Sequence, residues 1–145
     1  MMVRILDKKA TQPRRRFNLS RAVRIPHSPS KLNLASIQIK IPMNSQPNRV
    51  ELVATVGVRG VTGIAQIRFK IWRNGRHIYT AQQGIESSGS ERNYVVTFQA
   101  IDRNVAAGTH RYMVTAENVT RGTRAAVVGP VSFSGLAVRV RRANV

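Results

Sequence analysis

The stretch "AQIRFKIWRNGRHIYTAQQGI", residues 65–85, decides the fold class. Ile67, Phe69 and Ile71 alternate with Arg68, Lys70 and Trp72. A period of two sets apolar side chains on one face of a strand and polar ones on the other. Asn74-Gly75 then interrupts the alternation with the dipeptide that most readily takes the positive φ angles of a type I′ turn, whose twist matches two antiparallel strands. The reading is a β-hairpin.

The same texture extends both ways. In "LNLASIQIKI", residues 32–41, Ile37, Ile39 and Ile41 alternate with Gln38 and Lys40 before Pro42. "RVELVATVGV", residues 49–58, places Val50, Leu52, Ala54, Val56 and Val58 on one face and the mixed set Glu51, Val53 and Thr55 on the other. Tyr94, Val96, Phe98 and Ala100 share a parity, as do Tyr112, Val114 and Ala116, with Arg111 and Glu117 expected outward. The last strand, "AVVGPVSFSGLAVRV" at 126–140, carries Val131 and Phe133 with the small residues Gly129, Gly135 and Ala137, and Pro130 argues for an edge, a bulge or a late start. With a short strand in "FNLSRAVRI", residues 17–25, these make seven or eight antiparallel strands and no helix. The expected fold is an all-β, jelly-roll-like antiparallel sandwich, with an immunoglobulin-like sandwich as the second choice.

Residues 1–31 differ in character. Pro13, Pro26 and Pro29 punctuate them, and "KKATQPRRRFNLSR" at 8–21 holds six cations and no acid. This segment is predicted to be a basic N-terminal arm, separable from a sandwich domain at 32–145. Arg14, Arg15 and Arg16, with the apolar Phe17, Leu19 and Val23, are its candidate contact residues: main-chain pairing with a neighbour's open strand edge would supply affinity and the apolar side chains register.

Charge and chemistry narrow the function. Twenty-four Lys and Arg, nineteen of them Arg, stand against six Asp and Glu, a formal charge of +18. Such an excess attracts polyanions, and the planar guanidinium suits fixed contacts. Arg68, Lys70 and Trp72 on one strand face, with Arg139, Arg141 and Arg142 near the end of the sequence, form the candidate polyanion surface. That pattern fits a capsid-like or other nucleic-acid-binding sandwich. Fifteen of the cations follow residue 31, however, which is more dispersed than a pure nucleic-acid arm requires.

The absence of cysteine excludes disulfides, thiol catalysis and Cys-based metal sites. His27, His77 and His110 lack the spacing and acidic companions of a metal site. No nucleophile elbow surrounds a serine, and the glycines stand singly in turns rather than in a phosphate-cradling loop. An enzyme, a cofactor and a metal are therefore not expected. Asn18 in "NLS" and Asn118 in "NVT" are read as turn residues. No apolar run approaches the roughly 18 residues of a membrane-spanning helix, and no signal peptide is expected.

Four phrases in order, "ATQP", "NRVELVATVGVRGVTGIAQIRFKIWRNGRHIYTAQQGIES", "FQAIDRNVAAGTHRYMVTAEN" and "VVGPVSFSGLAV", resemble the exosporium protein C family of Bacillus-type endospore formers across roughly residues 10–138. The resemblance implies a structural, self-assembling subunit of the endospore surface, in an exosporium or fibrous appendage, made in the mother cell and exposed on lysis. Its partners would be copies of itself, as a homo-oligomer or helical fibre, and other spore-surface proteins. The family supplies no catalytic residues. "PRRRFNLSR" and "VRVRRANV" depart from it in being more basic than such proteins are expected to be, which leaves room for an anionic polymer as partner.

Overall fold

A computed structural model describes residues 3–140. Its strands are β1 (Val3–Arg14), β2 (Val23–Arg24), β3 (Leu32–Ile41), β4 (Asn48–Thr62), β5 (Ala65–Arg73), β6 (Arg76–Ile85), β7 (Asn93–Arg103), β8 (Gly108–Asn118) and β9 (Arg124–Val140), with one short 3-10 turn at Leu19–Arg21. One sheet has the order β1-β9-β4-β7, with β2 also pairing β9, and the other has the order β3-β8-β5-β6. All the strand pairings are antiparallel. With the two-residue β2 set aside, the chain distributes eight strands over two four-stranded sheets as a jelly roll does. The immunoglobulin-like alternative fails on this order, because among the described residues β5 and β6 are the only consecutive strands that pair with each other.

The predicted inward parities form the core. Ile39, Val50, Leu52, Val56, Ile67, Phe69, Ile71, Tyr112 and Phe133 are all buried between the sheets. Burying an aliphatic or aromatic side chain of this size contributes about 1.5–3 kcal/mol before entropy is counted. Phe98 joins the sheets through its ring, 5.4 Å from Phe69 and 6.1 Å from Tyr79. The 65–85 hairpin turns where expected, with φ of 51° at Asn74 and 81° at Gly75.

The N-terminal segment corrects the sequence reading. Val3–Arg14 is not a free arm: it pairs along β9 from Val3↔Val140 to Arg14↔Val131 and completes the first sheet as its edge strand. The 31/32 boundary therefore does not separate arm from sandwich, and removing residues 1–31 would strip β9 of the partner on one side. The segment looked like an arm because an edge strand shows most of its surface to water. Leu6 is the β1 side chain packed against the core, whereas Arg4, Lys8 and Lys9 are exposed.

Pro130 lies in neither an edge nor a strand start. It occupies β9 between β1 and β4, where the register jumps from Val56↔Val131 to Val58↔Val127 and from Thr11↔Phe133 to Arg14↔Val131. The bulge reading is the correct one, since a bulge excuses the missing N–H. Gly129 (φ 84°) turns the bulge, and a Cβ there would stand 2.5 Å from the Arg16 carbonyl oxygen.

Two carboxylates hold the sandwich at its margins. Asp7 of β1 accepts the Lys40 N–H of β3 (2.8 Å), the Lys8 N–H (2.8 Å) and the Lys9 ammonium (3.2 Å), tying one sheet edge to the other. Glu117, expected outward, has the outward parity but is buried. Segment 26–28 closes over the end of β8 through Asn118 N–H to the Pro26 carbonyl and Ser28 N–H to the Asn118 carbonyl. Glu117 pairs with Lys70 at 2.9 Å. Burial alone would raise both carboxyl pKa values. The Lys40, Lys9 and Lys8 contacts at Asp7, and the Ser28 hydroxyl, Lys70 and Arg68 at Glu117, outweigh it and hold both below their ordinary values. The stability these groups add is full above the ordinary values, 3.8 and 4.5, and is lost as pH falls below them through the depressed native ones. The urea midpoint is expected to be level near neutrality and to drop below about pH 4.5. In the Asp7→Asn/Glu117→Gln double variant that drop should be visibly shallower; an equal drop would locate the acid sensitivity elsewhere.

Candidate functional site

Three surfaces compete for a role, and they differ in how far their charges are already satisfied. On the outer face of the β3-β8-β5-β6 sheet, Arg68, Lys70 and Trp72 lie in line on β5, as predicted. Their partners are internal. Lys70 is taken by Glu117, Arg68 donates to Gln82 Oε1 (3.3 and 3.2 Å), and the Trp72 indole N–H donates to Thr115 Oγ1 (2.9 Å). Lys31 Nζ sits 4.7 Å and Lys70 Nζ 5.7 Å from the Trp72 ring centroid, and the His77 ring lies 5.3 Å away. A nucleobase stacking on Trp72 would have to displace cations already bound to it. Arg139 does not join this stripe: it stands on β9 of the opposite sheet, beside Arg4 and Asn48. Arg141 and Arg142 lie outside the described residues.

The second surface is the corner after β1. Here Arg14 donates to the Val127 carbonyl (3.4 Å) and Asn18 N–H to the Val128 carbonyl (2.8 Å), so residues 14–18 are strapped over the β9 bulge. Asn18 Oδ1 accepts the Ser20 N–H (3.1 Å) and caps the 3-10 turn, the turn role expected of it. Asn118 likewise works as a turn residue, buried and bonded to Thr120 and Thr123. The strap leaves a concavity walled by Pro13, Arg14, Arg15, Arg16, Asn18 and Arg21. Among the described residues the ion pairs are Lys9–Asp7, Arg49–Glu51, Lys70–Glu117 and Arg73–Asp102, so none of these four guanidiniums is paired. Phe17, Leu19 and Val23 are exposed on the same corner.

The third surface carries no charge. On the outer face of the β1-β9-β4-β7 sheet, the row Ala10–Ser134–Val53–Gln99 is followed by Ser132–Thr55–Thr97 and then Gly57–Val95. Ionisable groups resume only at Lys8 and Glu51 on one side and at Arg24 and Arg59 on the other. This face runs out onto β7, whose one partner is β4. From Asn93 to Ile101, β7 has no charged residue, and Val95 and Ile101 are 66% and 47% exposed. Of the other sheet edges, β1 is guarded along its length by Arg4, Lys8, Lys9 and Pro13, whereas β3 and β6 carry such groups only at one end, Lys40 on β3 and Arg76 and His77 on β6.

Sequence reasoning missed the β7 edge and Lys31. The uncharged run was visible in "NYVVTFQAI", but which strand lies at an edge is a property of topology. A further interior cluster was equally hidden. Asp102 of β7 accepts from Arg73 Nη1 of β5 (2.7 and 2.6 Å) and from the Tyr112 hydroxyl of β8 (2.7 Å), joining the two sheets. The Asp102 carboxylate raises the Arg73 pKa further, and burial first, then Asp102, pushes the Tyr112 phenol well above its ordinary range. No group of three or more His, Cys, Asp or Glu side chains is gathered for a metal ion among the described residues. No helix among them is long and apolar enough to cross a membrane.

No family model matches the chain, and no curated protein does. Solved structures with a distant likeness to the chain include dimeric latent PorU from Porphyromonas gingivalis, at 13% identity and a TM-score of 0.42 over 90% of this chain and 12% of that one. Infectious bursal disease virus is another: the Gt strain gives 10% identity and a TM-score of 0.44 over 99% of this chain and 38% of that one. The Gx strain gives 12% and 0.29 over 95% and 42%. The chain thus spans well under half of each of these proteins, and likenesses this distant say nothing of its function.

Proposed function

We propose that this chain is a structural, self-assembling subunit whose copies join through strand edges, in a surface layer or fibrous appendage of an endospore. The observation that carries the reading is β7, a strand open at a sheet edge, uncharged from Asn93 to Ile101 and with Val95 and Ile101 exposed, in a molecule of charge +18. Unpaired N–H and C=O groups along such a strand template another strand, and monomeric proteins interrupt them with charge, proline or a bulge. β7 carries none of these from Asn93 to Ile101.

The basic β1 edge repels a second β1, whereas β7 from Asn93 to Ile101 carries no cation to oppose it. Pairing β7 of one copy with β1 of the next is head-to-tail, and repetition builds a ring or a fibre according to the rotation between copies. The first segment of the chain thus keeps the connecting role expected of it, as a folded edge and not a loose arm. The resemblance to the exosporium protein C family supports the endospore setting, and non-enzymatic assembly accords with it.

The test is negative-stain electron microscopy and sedimentation of the pure protein beside a Val95→Lys/Ile101→Lys variant. Both side chains point to water, so the variant should keep the wild-type melting temperature. Ordered fibres or particles are expected from the wild type and only monomers from the variant. Identical assemblies from both would remove β7 from the contact.

A further inference from the structure

We infer that the concavity at the end of β1 binds the sugar–phosphate backbone of single-stranded nucleic acid, with Phe17 as a stacking platform for a base. The inference rests on different groups from the assembly reading, although the concavity adjoins the β1 edge that reading pairs with β7.

Two observations carry it. Arg14, Arg15, Arg16 and Arg21 converge on one concave surface, and all six carboxylates of the chain lie elsewhere, four of them committed to other cations. Four guanidiniums held this close repel one another unless an anion sits between them, and planar forks of N–H donors match phosphate oxygens in pairs. The backbone that presents them is fixed to β9 by the Asn18 and Arg14 contacts to the Val128 and Val127 carbonyls, so the cluster is arranged in advance of its ligand. The second observation is Phe17, 47% exposed between Arg16 and Asn18, an aromatic ring that the core does not use. Cations that follow a backbone, with an exposed aromatic among them, are the chemistry of sequence-tolerant single-strand binding. Arg24 and Arg59, either side of Ala126 in one row of the sheet, continue the positive surface beyond the concavity. The Trp72 stripe offers no equivalent, because its lysines and ring are engaged with one another and with Glu117.

The experiment is fluorescence anisotropy of a labelled uridine oligonucleotide across a salt series, with inorganic polyphosphate measured in parallel. The proteins are the full chain, Arg15→Ala/Arg16→Ala/Arg21→Ala, Phe17→Ala and Arg68→Ala. Arg14 is left in place because it bonds to β9, and Arg15, Arg16, Phe17 and Arg21 are exposed, so thermal melts of the triple variant and Phe17→Ala should superimpose on the wild type. The triple variant is expected to lose about tenfold or more in affinity, and its slope of log affinity against log salt should fall by about 2, at roughly 0.7 for each phosphate contact removed. Phe17→Ala should weaken the oligonucleotide about tenfold and leave polyphosphate unchanged. Arg68→Ala should match the wild type. An unaltered slope in the triple variant, no binding by the wild type at low salt, or a Phe17→Ala protein that binds both ligands as before would each overturn the proposal.

Discussion

Gly57→Ala is expected to destabilise the protein by about 3 kcal/mol or more, one of the largest effects of any single methyl group in this chain. A Cβ on Gly57 would run into the Gly129 carbonyl and the Pro130 nitrogen, backbone atoms of the neighbouring strand. A flexible side chain could swing aside, but here a central strand would have to shift. That strand is β9, which pairs with β1, β2 and β4 at once, so movement at its bulge disturbs one whole sheet. The midpoint of urea unfolding measures the effect, and the melting temperature should fall by about 10 °C. Gly75→Ala is the comparison: nothing lies near its Cβ, so only the strain of its positive φ is felt. If Gly57→Ala unfolds no more easily than Gly75→Ala, the bulge is not held as tightly as described.

The second large effect is expected at Asp102. Asp102→Ala removes the acceptor shared by Arg73 and the Tyr112 hydroxyl, leaving a part-buried guanidinium and a phenol without their partner. Breaking a buried pair from one side costs about 3–5 kcal/mol. Because the Arg73 side chain is 25% exposed and can recover some hydration, the lower end, about 3 kcal/mol, is expected. Tyr112→Phe, which loses one hydrogen bond and leaves the ion pair, should cost about 1 kcal/mol. The double variant Arg73→Met/Asp102→Leu should recover much of the single-variant loss, since no unpaired charge remains. A double variant as unstable as Asp102→Ala would mean that packing, not charge pairing, matters at this position.

Local patterns in the sequence carried the fold class further than they carried the architecture. Alternation at Ile67, Phe69 and Ile71, and the Asn74-Gly75 turn, depend on neighbours a few residues away, and the β5–β6 hairpin stands as read. The remaining pairings link distant strands, such as Val3 with Val140 and Leu32 with Ala116, and no local pattern states them. β1 was taken for an arm because exposed edge strands and extended arms share a composition. Glu117 looked solvent-facing because the segment that covers it, residues 26–28, arrives from ninety residues upstream. The candidate surfaces followed the same division. Arg14, Arg15 and Arg16 do gather with Arg21, a cluster nearly contiguous in sequence. Whether Lys70 and Trp72 were free depended on Glu117 and Lys31, which only the fold brings beside them.

The place of β9 bears on how the molecule comes into being. β1 and β4, made early, both need the last strand between them, so neither can complete its sheet until β9 has been synthesised. At ordinary translation rates the 110 residues from Arg14 to Arg124 take roughly 5–20 s, a long interval on the scale of chain collapse. Once β4 has been made it stands without its central partner for the rest of that interval, and β1 is not yet fixed as a sheet edge. If copies join through β1 as proposed, that edge is ready only when the chain's own sheet is finished, so assembly would follow synthesis.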